Sequence, residues 1–519
     1  MMPSSGIIRR ISLWEVSVIT APKHVYKGGF VMKKVIIIGA GLGGLATALR
    51  LLKSGFNVSI YEKSGHVGGV VHYMKSPCGQ YIFDYCASIG ISPIEYDKVF
   101  LDCDLNPRQY YDISYTNEAY RAFFDSEKYL DLSYDIKDLL NNIHSIFPGQ
   151  GDNYMRLITK SYYKYRIARQ KLLSKPFITG SDNIMSLFSL LRLDVLKTAA
   201  NYVNTYIEDE GLANIILMQV LFIGSSPYKI SNTYCMIPAI SQIDGIGYIK
   251  NGLAQYSGAL LKAVLEAGGE IYTSSNVQEI CVNGRNATGV IVNDKFVSAD
   301  VLVANSDYQY TNTTLLQKPI DNRKYKSSCG TFVLHLGIDK IYPILKLHNL
   351  FVNNNFKSEV HRVFRGQLPE DCQLYVYNPA AIDDTMCAKG KMAINVLVRV
   401  PNLTFNSITW DNSSVEYLKK ICINKLSSIE GLEDIEQHIE YEDFLTPNDF
   451  LHDYNYWQGG AYGIAHTNMQ SIILRPQVKS KKLNNLYFVG KSVHPGNGAS
   501  IVLICSEIAA KQIIKEAAY

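Results

Sequence analysis

Two clusters of glycine stand where a backbone must come close to a ligand. The first is Gly39-Ala40-Gly41-Leu42-Gly43-Gly44, which follows the apolar run Val35-Ile36-Ile37-Ile38 without a break. A continuous run of that kind marks a strand buried on both faces of a parallel sheet. Leu45, Ala48, Leu49 and Leu52 then recur at helical period, and Gly55 closes the helix. Val58-Ser59-Ile60-Tyr61 reads as a second strand, with Glu62 at its end. Strand, glycine turn, helix, strand and an acid about 20 residues past the glycines is the arrangement that cradles a dinucleotide. Gly39 permits the tight turn, Gly41 lets the backbone approach a pyrophosphate, and Gly44 lets the helix lie close on the strand. The helix N-terminus offers N–H donors and positive dipole to the phosphates. Ala40, Leu42 and Gly43 are therefore candidate contacts beside the three named glycines. Glu62 can accept from ribose hydroxyls and disfavours a 2′-phosphate, so the ligand is of the FAD or NAD type rather than NADP. A bare strand–helix turn without a ligand leaves that carboxylate unexplained.

Glu62 is followed by Lys63-Ser64-Gly65-His66-Val67-Gly68-Gly69, a second glycine pair soon after the acid. Near the C-terminus a strand-like run, Leu486-Tyr487-Phe488-Val489, meets Gly490 and then Lys491-Ser492-Val493-His494-Pro495-Gly496-Asn497-Gly498-Ala499-Ser500. A helix is expected from about Ile501 to Glu516, so a strand again delivers a glycine loop to a helix start. Between these ends lie Tyr206-Ile207-Glu208-Asp209-Glu210, Leu221-Phe222-Ile223-Gly224, Glu266-Ala267-Gly268-Gly269-Glu270-Ile271, Ala304-Asn305-Ser306-Asp307 and Leu445-Thr446-Pro447-Asn448-Asp449-Phe450.

Together these stretches closely resemble the phytoene desaturase-type carotenoid desaturases, FAD flavoproteins related to the amine oxidases. The resemblance runs from about Lys33 to the end of the chain and keeps the order of the motifs. It implies an α/β fold: a Rossmann-like FAD-binding domain of the amine oxidase/desaturase type, with a mixed-sheet plus helical substrate domain. It implies that Gly68 and Gly69 approach the pyrophosphate, with Lys63 and Val70 beside them, and that Val277 makes a backbone contact to the adenine. It also implies that the strand ending at Gly490 leads to a helix start, Gly498, Ala499 and Ile501, whose N–H groups meet the pyrimidine edge of the isoalloxazine. Residues 163–169, 347–349 and 374–380 draw the likeness toward the thirty-carbon branch, the 4,4′-diapophytoene (dehydrosqualene) desaturases.

The chain departs from the family pattern at four places. Gly68-Gly69-Val70 replaces the usual Gly-Gly-Arg, which removes a guanidinium from the pyrophosphate. Phe83-Asp84-Tyr85-Cys86-Ala87 replaces Phe-Asp-x-Gly-Pro, Asn251-Gly252 replaces Gly-Gly, and Gly498-Ala499-Ser500 replaces Gly-x-Pro. All lie near the expected flavin, so altered FAD binding or a shifted reaction follows from them.

The chemistry implied by the resemblance is the flavin's. A C–C single bond between two double bonds of 4,4′-diapophytoene or phytoene gives a hydride to flavin N5 and a proton elsewhere, in carotenoid biosynthesis. The rivals are a redox-neutral carotenoid isomerase, an oxidase of carotenoid terminal methyl groups and a flavin-poor isoprenoid-binding protein, the last motivated by Val70, Cys86 and Ala87. No catalytic acid–base is assigned; Asp182 lies in the relevant region without a firm alignment. His494 reads as structural in its His-Pro turn, and His335, His348 and His361 are spaced too irregularly for a metal site. The electron acceptor, the number of steps and the oligomeric state leave no mark in the sequence.

These loops need elements to hold them, and 519 residues suffice for two or three domains. Apolar residues make up 47% and charged residues 19%, which supports a large core. A net charge of +4 gives no ground for nucleic acid as a partner. No apolar run reaches the roughly 18 residues of a spanning helix. Ten scattered cysteines without a Cys-x-x-Cys pair disfavour a zinc site or a disulfide framework and suit a reducing cytoplasm.

Segments 32–95, 230–310 and 470–519 are expected to meet in the FAD-binding domain, and 96–229 and 311–469 in a substrate and membrane-associating domain. Strand cues in the latter are Thr331-Phe332-Val333-Leu334-His335-Leu336 and Ala393-Ile394-Asn395-Val396-Leu397-Val398. Residues 1–31 read as a non-native or disordered extension. Lys27-Gly28-Gly29 can be encoded AAA-GGA-GGT, a ribosome-binding sequence at a plausible distance before a start at Met32. Residues 154–175 are rich in Lys and Arg, and 184–200 are apolar. With an isoprenoid substrate this pairing predicts peripheral docking on the cytoplasmic membrane.

Overall fold

Five parallel strands carry the glycine loops. In spatial order they are Glu270–Tyr272, Asn57–Tyr61, Lys34–Ile38, Val301–Ala304 and Leu486–Phe488. This computed structural model describes residues 32–86, 88–124, 126–173, 196–318, 324–405, 407–471 and 474–518. The readings placed on residues 1–31, on Asp182, on Ala87 and on most of the apolar stretch 184–200 lie outside the described residues.

Parallel strands need crossovers, and helices supply them. The helix Leu42–Lys53 joins the first two strands and packs between the helices Ala254–Glu266 and Ala499–Ala517. It is buried along its whole length from Leu42 to Leu51, and even Arg50 is enclosed, with its charge met by Asp102 at 3.1 Å and by Ser506. Both helices at the glycine loops start earlier than the periodicity indicates, at Leu42 and at Ala499, because glycine-rich turns wind into a helix without contributing to the apolar stripe. A three-stranded antiparallel sheet, Val277–Asn283, Asn286–Val292 and Lys295–Ser298, is inserted before the fourth core strand.

The second large element is a seven-stranded sheet. Its order is Ile439–Leu445, Gly330–Ile338, Met392–Val400, Leu374–Tyr377, His348–Phe351, Glu118–Phe123 and Tyr129–Ser133. All pairs are antiparallel except His348–Phe351 with Glu118–Phe123. Every residue of Gly330–Ile338 and Met392–Val400 is buried, so these strands read as mainly apolar runs, interrupted by Thr331, His335, Asn395 and Arg399, rather than as an alternation. Phe332, Leu334, Val396 and Val398 form a core with Leu418, Cys422 and Leu426 of the helix Asn412–Ser427. Val333, Tyr375 and Leu397 point to the other side, into a separate core.

Packing crosses the expected domain margins in two places. Tyr96, Val99, Phe100, Cys103 and Tyr111 join the core of the five-stranded sheet, because the helix Pro93–Leu101 lies against Ala499–Ala517. Ile230, Tyr234, Cys235, Ala239, Ile246 and Tyr248 join the core beneath the seven-stranded sheet instead.

Candidate active site

The first glycine turn is held from three sides. Gly39 has φ +98° and gives its N–H to Tyr61 O at 2.8 Å, which ties the loop to the end of the second strand. A Cβ on Gly44 would come closer than 3.0 Å to Gly39 O, so the third glycine serves helix–strand packing. Gly41 and Gly43 face a protein group: a Cβ on Gly41 would meet Asn305 Nδ2 at 2.8 Å, and one on Gly43 would meet Asn305 Oδ1 at 2.5 Å. Asn305 follows the strand Val301–Ala304 and lays its side chain on the loop. In the sequence Ala304-Asn305-Ser306-Asp307 stands only as part of the family likeness, and no local signal marks Asn305 as the partner of the glycine loop.

Glu62 is buried and organises the loop. One carboxylate oxygen accepts the Ala40 N–H at 2.7 Å, and the other accepts the Ser64 N–H at 2.9 Å and the Ser64 O–H at 2.7 Å. Two carboxylate oxygens offer about four lone-pair sites, so room remains for a further donor. Gly68 gives its N–H to Ala40 O at 2.8 Å, which seats the second glycine pair directly on the first. Gly68 and Gly69 have φ +101° and +62°. Val70 is half-buried and touches the cores on both sides.

The C-terminal loop approaches from opposite. Gly490 has φ +129°, and Gly498, φ +107°, heads the helix Ala499–Ala517. Gly41, in extended backbone at φ −69°, heads Leu42–Lys53, and no side chain caps either helix. Ser492 gives its O–H to Asp307 Oδ2 at 2.9 Å. Burial raises the Asp307 carboxyl and drives the Lys491 ammonium well below the usual lysine range. Lys491 gives an N–H to Ala461 O at 3.0 Å and lies over the Tyr456 ring. His494 Nε2 lies 3.0 Å from Leu172 O, which fixes that nitrogen as the donor and supports a structural role. His466 packs against Gly496, where a Cβ would meet its Cε1 at 2.5 Å. Ser471 donates to Thr467 O, Tyr234 Oη lies 3.0 Å from Ser471 Oγ, and His466 Nδ1 lies 2.8 Å from Tyr234 Oη. The chain of donors fixes Nδ1 as the protonated nitrogen, and burial keeps the imidazole neutral by holding its pKa well below the ordinary value.

Asn251 accounts for one of the departures, beside the retained Asp84 and Gly252. The Asp84 carboxylate is fully buried and accepts from Leu253 N–H, Ala254 N–H and Tyr377 O–H, so it caps the helix Ala254–Glu266 from a distance. A Cβ on Gly252 would meet Asp84 Oδ2 at 2.8 Å, whereas Asn251, at φ +67°, occupies a conformation that Asn tolerates. Cys86 borders the site; burial pushes its thiol up to about 11, against the pull of Lys491 and Arg399.

These groups border one cavity of about 420 Å³. Gly39, Gly41, Leu42 and Gly43 line it, with Glu62, Lys63, Gly68, Gly69, Val70 and Val277 beside them and Gly490, Gly498, Ala499 and Ile501 across from them. Ala40 and Gly44 do not line it: the Ala40 N–H is spent on Glu62, and Gly44 is spent on packing. The far wall is apolar and aromatic, with Phe222, Tyr375, Leu397, Tyr456 and Tyr462, and the cavity extends to Tyr165, Leu173, Met236 and Ile240. Two uncapped helix N-termini, a carboxylate with spare lone pairs and bare glycines on one cavity fit a dinucleotide.

Comparison with known proteins agrees with this geometry. Residues 37–103 match the NAD(P)-binding Rossmann-like domain. The chain is 32% identical over 498 residues to a 4,4′-diapophytoene desaturase (4,4′-diaponeurosporene-forming) of Staphylococcus aureus (strain COL), covering 93% of this chain and 99% of that one. A redesigned putrescine oxidase has a similar fold, with TM-score 0.63 and 14% identity over 93% of this chain and 99% of that one. Cyclohexylamine oxidase from Brevibacterium oxydans IH-35A gives 0.61 and 13% over 94% and 100%. The glycine loops, Glu62 and the likeness across nearly the whole length carry one conclusion: the chain belongs to the phytoene desaturase-type carotenoid desaturases, among the 4,4′-diapophytoene desaturases, oxidoreductases that work with a flavin or nucleotide cofactor.

Proposed function

We propose that the protein is an FAD-dependent desaturase of 4,4′-diapophytoene, a linear thirty-carbon carotenoid precursor. The observation that carries this reading is the single cavity joining both glycine-headed helix N-termini to an apolar, aromatic wall. When bound, FAD supplies the hydride acceptor, flavin N5. Glu62 receives the ribose hydroxyls, and the N-terminus of Leu42–Lys53 faces the pyrophosphate. Val277 backs the adenine, and the N-terminus of Ala499–Ala517 meets the pyrimidine edge. Phe222, Tyr375 and Leu397 hold the hydrocarbon by apolar contact and exclude water. A hydride leaves one carbon and a proton its neighbour, and the conjugated run lengthens by one double bond.

The test is expression of the full chain in a colourless bacterial host that accumulates 4,4′-diapophytoene. A yellow-to-orange extract with masses lower by pairs of hydrogens supports the reading. An altered spectrum at constant mass points to isomerisation, and added oxygen points to methyl oxidation. A colourless extract with folded protein present sinks it.

The same reading includes docking on an anionic bilayer at the cytoplasmic face. The helix Gly151–Lys171 turns Arg156, Lys160, Tyr163, Arg166 and Lys171 outward, and Leu196 is 86% exposed. The cavity end at Tyr165 and Leu173 lies on and just beyond this helix, which gives an isoprenoid a short way in from the lipid. Among the described residues no helix is long and apolar enough to cross a membrane.

A further inference from the structure

The apolar part of the cavity has two ends. At one, Tyr165, Leu173, Met236 and Ile240 line it beside the basic helix Gly151–Lys171. At the other it stops at Phe222, against Tyr375 and Leu397 of the seven-stranded sheet. Leu221 and Ile223 are buried, whereas Phe222 between them is half-buried and borders the cavity, so its open face is the one turned to the cavity. The turn Leu221–Ile223 closes on Gly224 at φ +68°, where a Cβ would run into the Tyr462 ring, so the backbone that presents Phe222 is fixed.

A second layer backs this wall. Phe222 meets Tyr375 edge-on at 5.6 Å and Tyr120 at 6.0 Å, and the Arg399 guanidinium lies over its ring at 5.1 Å. His348 stands 6.0 Å from both Tyr375 and Tyr120, ring centre to ring centre. Tyr120, His348 and Tyr375 are all buried. The Tyr375 hydroxyl lies 2.8 Å from His348 Nδ1 and 3.3 Å from Ser88 Oγ, which pins the outer end of its ring. Burial lowers His348 to about 3, so the imidazole is neutral and puts no charge behind the wall.

Apolar contact has no direction, so a site for a hydrocarbon can sense length only by where the chain stops. A close-packed aromatic wall gives way only at a cost, even for one extra methylene. Desaturation fixes a second point, because the reacting bond has to stand at the cofactor. The forty-carbon precursor carries one isoprene unit more on each side of its centre than the thirty-carbon one. With its reacting bond in place, its leading end would overrun the wall, while its trailing half can extend back toward the basic helix. The stretches that draw the sequence toward the thirty-carbon branch fall at these two ends. Residues 163–169 bring Tyr165 to one, and 347–349 and 374–380 bring His348 and Tyr375 to the other.

We propose that Phe222 and Tyr375, backed by Tyr120 and His348, form the stop that holds the leading end of the substrate and so selects thirty carbons over forty. The proposal rests on the reading of the protein as a desaturase of 4,4′-diapophytoene and assigns the residues that set its chain length.

The experiment offers the flavin-loaded, full-length enzyme 4,4′-diapophytoene and phytoene in equal amounts in phosphatidylglycerol vesicles and measures the ratio of the two products. The wild type is expected to favour the thirty-carbon precursor at least ~10-fold. Phe222→Ala removes a ring about the size of an isoprene unit and should cut that preference at least ~10-fold by raising phytoene desaturation. Phe222→Leu keeps an apolar group against Tyr120 and Tyr375, should fall between the two, and carries the test if the alanine variant does not fold. Met236→Ala truncates the opposite end and should leave the ratio within about twofold of wild type. Equal use of both precursors by the wild type overturns the proposal. So does an unchanged preference in folded Phe222 variants, or a Met236→Ala variant that relaxes the ratio as far as Phe222→Ala does. Folded Phe222 variants that desaturate neither precursor overturn it too, because they place Phe222 in the reaction rather than at its limit. If the wild type desaturates neither precursor, the desaturase reading itself fails and takes this inference with it; every other adverse result refutes the inference alone.

Discussion

Glu62→Gln tests the organisation of the glycine loop. The carboxylate accepts Ala40 N–H at 2.7 Å on one oxygen, and Ser64 N–H at 2.9 Å and Ser64 O–H at 2.7 Å on the other. Glutamine keeps the shape and turns one of these acceptors into a donor. Its NH₂ placed toward Ser64 confronts a backbone N–H and disturbs two bonds. Placed toward Ala40, it loses one bond and leaves the buried N–H of the glycine loop facing another donor. The cheaper placement loses one charge-assisted bond, about 1.5–3 kcal/mol. That loss falls on the loop conformation the dinucleotide needs, so FAD affinity drops about 10- to 150-fold. Titration of the cofactor-stripped enzyme with FAD, followed by flavin fluorescence, measures the affinity, and thermal unfolding without FAD measures the loop's own share. Both should fall, because the Ala40 bond forms without any ligand. An FAD affinity within about twofold of wild type, together with an unchanged unfolding midpoint, refutes the assignment of Glu62 as the loop's organiser.

Gly44→Ala brings a Cβ within 3.0 Å of the Gly39 carbonyl, a backbone atom that cannot swing aside, and is expected to lower stability by about 1–3 kcal/mol in denaturant unfolding. Asp84 has a distinct pH signature. Burial raises its carboxyl to about 6 from an ordinary 3.8, so the folded state holds the proton more tightly than the unfolded chain. That contribution is complete below about pH 4 and is lost as pH rises through 6, up to about 3 kcal/mol. Asp84→Asn cannot titrate, so its stability relative to wild type should improve between pH 4.5 and 7; a constant difference across that window refutes the shift. Replacing Arg156, Arg166 and Lys171 by Gln should weaken sedimentation with phosphatidylglycerol vesicles by about 100-fold, at about 1 kcal/mol for each basic group, and change the unfolding temperature little. Undiminished vesicle binding places the docking surface elsewhere.

The parts of the fold legible in the sequence are those where one local rule decides the outcome. Val35 to Ile38 could only be an enclosed strand, and the glycines after it could only turn into a helix. The strands Gly330–Ile338 and Met392–Val400 announced themselves as long apolar runs for the same reason. The partners of side chains meeting across the chain were not legible. Nothing local tells that Asn305 fills the space left by Gly41 and Gly43, or that Asp84 caps a helix 170 residues further on. Ala40 was named as a ligand contact because it sits among glycines, yet its N–H turns to Glu62, a choice only the folded loop reveals.

The order of strands in the five-stranded sheet bears on how the protein is made. The outer edge of Val301–Ala304 is closed by Leu486–Phe488, and one side of the helix Leu42–Lys53 is covered by Ala499–Ala517. A ribosome adding about 5–20 residues per second needs roughly 10–40 s to synthesise the stretch of about 180 residues between those two strands. Throughout that interval the nascent chain carries an unpaired parallel strand and an uncovered apolar helix face, which are templates for wrong partners. The nucleotide-binding domain is thus begun first and completed last. Its yield in any host should depend more on chaperone capacity and elongation rate than on the final stability of the folded enzyme.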